Sequence, residues 1–311
     1  MERKVIVIVG PTCSGKTKLS ISLAEKMNGE IISADSRQIY KYLDIGTAKP
    51  LPEELRKVKH HFVDCFEPEG DYNVSKFETD ALNIIEKLFA ENKTPILCGG
   101  SGLYIKALVD GIFNTIDVDV EFREELKKNR ELFGNEHLYE ELKKVDPVSA
   151  ANMLPQNWKR VMRALEVYHL SGVPIRQFQE IYKRDNVNIS FVQFGLNWER
   201  QILYKNIEKR VDKMIGDGLV DEVEKILSKG YSKELNSLNT VGYKEIISFL
   251  NNEYPLERAI ELIKRNTRRF AKRQMTWFRK DERINWIDVT NDKDFSSAES
   301  FVRETFGRFE K

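Results

Sequence analysis

Val5-Ile6-Val7-Ile8-Val9-Gly10-Pro11-Thr12-Cys13-Ser14-Gly15-Lys16-Thr17 is the stretch that decides the fold. An unbroken β-branched run ending in glycine reads as a buried parallel strand. Gly10–Thr17 fits G-x-x-x-x-G-K-[ST]. Helical spacing of Leu19, Leu23 and Met27 over 15–28 then supplies the strand–loop–helix context that a phosphate loop needs. Glycines let the backbone fold around an anion, and the exposed amides at the helix start favour negative charge. Gly10, Thr12, Cys13, Ser14, Gly15, Lys16 and Thr17 are therefore the expected diphosphate-binding set. Lys16 reaches the terminal phosphates, and the Thr17 hydroxyl is the expected protein ligand of a Mg2+ ion bridging them. Most such loops hold ATP or GTP, but the loop alone does not choose its phosphate compound.

Outward from this loop the pattern alternates. Glu30–Ser33 reads as a second strand ending at Ala34-Asp35-Ser36, and residues 75–92 as a helix. Thr94–Cys98 reads as a third strand ending in Gly99-Gly100-Ser101-Gly102, with a helix over Leu103–Val109. This predicts an α/β fold: a P-loop NTPase-like core with a parallel sheet and flanking helices. From 114 to 188 only helical segments are legible, among them Glu121–Leu132 and Trp158–Leu170. The latter follows a turn at Leu154-Pro155-Gln156-Asn157 and stops at Ser171-Gly172 before Pro174. Strand character returns at Ser190–Leu196, and long helices follow at 199–229 and 255–280. The expected organisation is a catalytic core of residues 1–113 and 189–311 with an all-helical insertion, 114–188.

Composition narrows the class. With 311 residues, 41% hydrophobic and 32% charged, the chain reads as soluble and globular. No apolar run approaches the roughly 20 residues needed to span a bilayer, so no membrane role is expected. The apolar start runs straight into the phosphate loop, which argues for a strand over a signal peptide. Cys13, Cys65 and Cys98 are widely spaced with no Cys-x-x-Cys, and His60-His61 lacks ligand-spaced partners. These features point to a reducing, cytoplasmic setting without disulfides or zinc. A monomer is the working expectation. Net charge is only +1, yet Lys264, Arg265, Arg268, Arg269, Lys272, Arg273, Arg279 and Lys280 form a stripe free of acids. Such a stripe can grip a phosphate backbone or be a solvated helix face, and charge alone leaves both open.

Asp35 follows the second strand, at the sheet end where functional groups gather in doubly wound folds. A carboxylate beside a polyphosphate can bind magnesium, act as a general base, or cap its own turn. Up to here the chain could be a small-molecule kinase, or an RNA-binding module that retains a phosphate loop.

Six blocks in order resemble the tRNA dimethylallyltransferases (tRNA isopentenyltransferases): Gly10–Thr17; Ser33-Ala34-Asp35-Ser36-Arg37-Gln38-Ile39-Tyr40 through Asp44-Ile45-Gly46-Thr47-Ala48-Lys49-Pro50; Gly99-Gly100-Ser101-Gly102-Leu103-Tyr104-Ile105; Asp146-Pro147 with Lys159-Arg160-Val161-Met162-Arg163-Ala164-Leu165-Glu166-Val167; Thr240-Val241-Gly242-Tyr243-Lys244-Glu245; and Ala271-Lys272-Arg273-Gln274-Met275-Thr276-Trp277-Phe278-Arg279. The resemblance implies transfer of a dimethylallyl group from dimethylallyl diphosphate to N6 of adenosine-37, just 3′ of the tRNA anticodon, with Mg2+. It implies Asp35 as general base and Thr17, Ser101 and Arg210 as further catalytic residues. Ser101 stands where the family has threonine, and the hydroxyl survives. Asp35, Ser36, Arg37 and Gln38 are implied at the target base. Lys159, Arg160, Arg163, Gly242, Tyr243, Lys272, Arg273, Gln274 and Arg279 are implied at the tRNA. A zinc finger carried by some eukaryotic members is not expected. By their helical spacing Trp158, Trp277 and Phe278 are expected in the core.

Overall fold

The computed structural model describes residues 3–112, 118–181 and 188–308. Six strands form one parallel sheet: β1 (Lys4–Val9), β2 (Gly29–Ala34), β3 (His60–His61), β4 (Thr94–Gly99), β5 (Ser190–Trp198) and β6 (Asn285–Val289), in the order β3-β2-β4-β1-β5-β6. β1 lies between β4 and β5 and is buried on both faces. Its side chains alternate. Val5, Val7 and Val9 join one core, with Phe77, Ile85, Ile207 and Ile263 from three helices. Ile6 and Ile8 join the other, with Leu19, Leu23 and Val302. A two-residue period thus feeds two helix layers. Each fully buried valine or isoleucine contributes about 1.5–3 kcal/mol.

The expected helices form with small shifts of their ends: Lys16–Lys26, Val74–Ala90, Gly102–Asp110, Trp158–Ser171 and Leu256–Phe278. The helical stretch expected over 199–229 is made of two helices, Arg200–Gly216 and Leu219–Ser228. Gly218 between them has φ +97°, a left-handed value that ends one helix and starts the next. β3, β6 and the helices Pro52–Lys57, Tyr243–Leu250 and Asp294–Arg308 had no counterpart in the sequence pattern. β3 is two residues long, and β6 is a half-exposed edge carrying Asn285 and Asp288, so neither shows a strand period.

By contacts the chain divides into Met1–Val109 with Asn188–Lys311, and Asp110–Val187. The expected boundary at 113/114 lies outside the described residues. The second unit is helical, with a small core of Leu126, Leu138, Leu142, Val161 and Leu165. Its helix Val120–Val145 breaks at Gly134 (φ +86°, ψ 176°) and runs well past Leu132. The fully buried carboxylate of Glu166 organises this unit. It accepts the Asp119 amide at 3.1 Å and pairs with Arg123 at 2.5 Å and with Arg163. Among the described residues no helix is long and apolar enough to cross a membrane.

In the larger unit Glu30 on β2 has a carboxylate 8% exposed and 2.6 Å from the Lys93 ammonium and 2.7 Å from the His61 ring. Burial alone would raise its carboxyl, but Lys93 and His61 override this and bring it down to about 2. A depressed carboxyl stabilises the fold above its unfolded value and loses that contribution as pH falls through the folded one. Glu30→Gln is therefore expected to lower the urea midpoint at pH 7 and to flatten its decline between pH 4.5 and 2. An unchanged acid limb would remove Glu30 from that role.

Candidate active site

The strand order brings the carboxyl ends of β2, β4 and β1 side by side, so the loops after them converge. In the loop after β1, Gly10 (φ +150°), Cys13 (φ +64°) and Gly15 (φ +86°) turn the backbone. A Cβ on Gly15 would lie 2.2 Å from the Phe295 ring, so packing and conformation both demand glycine there. The helix Lys16–Lys26 begins with no side-chain cap and no acid in its first turn, which leaves its amides to an anion.

The loop is braced from three sides. Trp198 Nε1 donates to Ser14 O at 3.0 Å. Arg210 donates to Thr12 Oγ1 at 3.1 Å and approaches Cys13 Sγ at 3.5 Å. The amide of Gln274 accepts from Thr12 N and donates to Gly100 O, both at 2.9 Å, and so ties the β1 loop to the β4 loop. Lys16 turns back on Pro11 O at 2.7 Å. Burial pushes its ammonium below the ordinary lysine value, and the neighbouring Arg210 adds to this. Lys16 and Arg210 thus bring two cations to the loop, with Asp35 as the carboxylate on the same cavity.

Asp35 does two things. Its Oδ1 accepts the amides of Arg37 at 2.8 Å and Gln38 at 3.3 Å, the turn-capping geometry anticipated as one alternative. Its Oδ2 makes no hydrogen bond among the described residues. The Ser101 hydroxyl accepts the Ser36 amide at 3.2 Å and so fixes the start of the same turn. Gln38 donates to Thr47 O (3.2 Å) and Ala48 O (3.1 Å), which commits its amide nitrogen to the loop before Lys49. Arg37 donates to Asn236 O at 2.7 Å.

Two cavities meet here. The first, about 370 Å³, is lined by Thr12–Lys18, Gln38 and Lys49. The second, about 560 Å³, is lined by Ser36, Arg37, Ser101, Gly242, Arg273, Trp277 and the apolar side chains of Ile207, Val211 and Met214. Thr12, Asp35, Thr47, Gly100, Arg210, Phe270 and Gln274 border both. Asp35 and Arg210, named from sequence far apart, stand on that common wall.

Several expectations change. Tyr243 is fully buried, and its hydroxyl bonds Glu222 at 2.5 Å, so its ring is not available to RNA. Burial and then Glu222 push its phenol well above the ordinary value. Trp277 is 45% exposed on the second cavity, whereas Phe278 is buried as expected. One helical step of about 100° separates the two. Trp158 is half-buried, with the Arg130 guanidinium 4.1 Å from its ring centre. Gln274 is buried and spends its amide on the loops. In the basic stripe, Lys264 pairs with Asp212 at 2.6 Å and Arg268 with Glu208 at 2.8 Å, while Arg265, Arg269, Lys272, Arg273, Arg279 and Lys280 are exposed. In the helical unit Lys159 and Arg160 are exposed, and Arg163 is held by Glu166. Sequence reasoning missed Thr47, Phe270 and Glu222. Glu222 accepts the amides of Asp44 (3.1 Å), Ile45 (2.7 Å) and Gly46 (3.2 Å). Nothing in a helix-borne acid signals such a role in sequence.

A family model described as IPP transferase matches residues 38–281. The chain belongs to that family. Among curated relatives, the tRNA dimethylallyltransferase of Acetivibrio thermocellus is 45% identical over 98% of this chain and 99% of its own length. That of Halothermothrix orenii is 45% identical over 92% and 88%. Among solved structures, a tRNA isopentenylpyrophosphate transferase from Bacillus halodurans superposes with a TM-score of 0.71 at 38% identity, covering 100% of this chain and 99% of that one. A eukaryotic dimethylallyltransferase acting on tRNA gives 0.82 at 28% identity, covering 96% and 78%. The IPP transferase fold is thus shared across nearly the whole chain.

Removing the Gln274 bridge should leave Thr12 N and Gly100 O unpaired. Gln274→Ala is expected to lose about 1–3 kcal/mol in urea unfolding and to weaken inorganic diphosphate binding in titration calorimetry. Full diphosphate affinity in a destabilised variant would show that the bridge supports the fold without shaping the loop.

Proposed function

We propose that this chain transfers a dimethylallyl group from dimethylallyl diphosphate to N6 of adenosine-37, next to the anticodon, in tRNA. The observation that carries this reading is the common wall of the two cavities. A diphosphate cradle opens on one side and a basic, aromatic cleft on the other, with Asp35 between them. Membership of the IPP transferase family and the activity for which the relatives are named support the same substrates.

On this reading the diphosphate lies on the amides of residues 12–17, with Lys16 and Arg210 beside it. As the bond from the allylic carbon to oxygen breaks, positive charge grows on carbon and negative charge on the leaving diphosphate. Donors already aimed at those oxygens stabilise that charge without rearranging. The adenine N6 forms the new bond to carbon, and its proton passes to the free Oδ2 of Asp35. The target base has to leave its stack to reach the second cavity, at a cost of a few kcal/mol that is smaller in a loop than in a duplex. Met214, Val211 and Ile207 exclude water from the allylic carbon. Ser101 and Gln38 hold the turn that aims Asp35.

Among the described residues no three His, Cys, Asp or Glu side chains gather as a metal site. A metal here would be held mainly by substrate phosphates, with Thr17 and Asp35 at the same cavity. That donor set suits Mg2+, which retains waters and takes few protein ligands. When bound, it would offset charge on the leaving diphosphate.

Purified protein given labelled dimethylallyl diphosphate, Mg2+ and unmodified tRNA is expected to label tRNA with adenosine after the anticodon and not a guanosine-substituted control. Label on neither, with tRNA bound, would overturn the reading. Asp35→Ala should keep tRNA affinity within a few-fold while turnover falls by about 10²–10⁴. Changing Lys272 and Arg273 together to Ala should weaken tRNA binding and flatten its salt dependence. An unchanged salt slope would place the stripe elsewhere.

A further inference from the structure

One face round the helix Leu256–Phe278 from the reactive cleft lies a separate cavity of about 220 Å³. Its walls include Pro11, Trp198, Arg200, Tyr204, Lys272 and Arg279. Among the described residues none of its three cations pairs with a carboxylate. The Arg200 guanidinium lies 5.2 Å from the Tyr204 ring centre, and its Nε donates to the Tyr204 hydroxyl at 3.1 Å. Arg279 reaches Asn197 Oδ1 at 3.5 Å. The Arg200 guanidinium sits at the hydroxyl end of the Tyr204 ring, and Lys272 and Arg279 add unpaired charge. A guanidinium plane and an aromatic ring are each surfaces on which an RNA base stacks, and free ammonium and guanidinium groups take its phosphate. The cavity begins at Pro11, one residue before Thr12 on the wall of the reactive cleft.

We propose that this cavity binds a second nucleotide of the same RNA, one flanking the reacting adenosine, stacking its base on Arg200 and Tyr204 and seating its phosphate on Lys272 and Arg279. This rests on the tRNA reading above. Holding a flanking nucleotide away from the reactive cleft would keep the target base from restacking on its neighbour, so the same contact would favour the extruded state.

The test is a double-mutant cycle by equilibrium binding to an anticodon stem-loop RNA, using the full chain. Arg200 is exposed, and Arg200→Ala is expected to fold normally, with unchanged diphosphate affinity as the control. It should weaken stem-loop binding by about tenfold. An abasic replacement of one of the two nucleotides flanking the target should cost a similar factor in wild type and almost nothing further in Arg200→Ala. Arg200→Lys separates stacking from charge, because lysine keeps the charge and loses the plane. Binding by Arg200→Lys that matches the alanine variant supports the nucleotide pocket. Binding that matches wild type, or an abasic penalty identical in both proteins at both flanking positions, would reduce the cavity to a charged surface and overturn it. Stem-loop binding with no dimethylallyl transfer would instead count against the proposed function, whatever the cycle gives.

Discussion

β1 is hydrogen-bonded on both edges and buried on both faces, and its chain must leave the sheet at Val9 into a turn that only glycine-rich sequence can make. Everything chemical hangs on that exit. Because β4 separates β1 from β2, the loops carrying Thr12, Gly100 and Asp35 all emerge at one end of three neighbouring strands. Gln274, reaching over from a distant helix, joins two of those loops through a single amide. A buried amide with both its groups used is rigid as well as stabilising, since either group left unpaired would carry its desolvation penalty.

Around this junction charge is deliberately unbalanced. Lys16 and Arg210 face a cradle of backbone amides with Asp35 as the nearby carboxylate. On the proposed function a diphosphate would relieve that imbalance, so binding and preorganisation would be the same property. Stability is supplied elsewhere, by the two aliphatic cores and by saturated ion pairs such as Glu30 with Lys93.

A chain of polar contacts links remote parts of the larger unit to Asp35. Glu222 gathers the amides of residues 44–46 and the hydroxyl of Tyr243. The following carbonyls of Thr47 and Ala48 hold Gln38, whose own amide is bound by Asp35 Oδ1. A Cβ on Gly46 would lie 2.3 Å from the Tyr243 ring, so the loop is seated by shape as well as by hydrogen bonds. These contacts hold the turn that carries Asp35 on the common wall of the two cavities.

Local order determined what could be read without the fold. The β-branched run, the glycine-rich turn after it, the alternation of strands and helices and the helical segments within 120–181 are all short-range patterns, and the structure carries each of them. Asp35, Lys16 and Thr17, which line one cavity, could be singled out because they sit in or beside turns whose chemistry is local. What only the tertiary structure decided depends on residues far apart in the chain. It buried Tyr243 against Glu222 and turned Trp277 outward. It spent Gln274 on two loops, and it added β3 and β6 to edges where pairing, not side-chain period, makes a strand. Burial and hydrogen-bond partnership belong to the packed chain as a whole, so no window of sequence contains them.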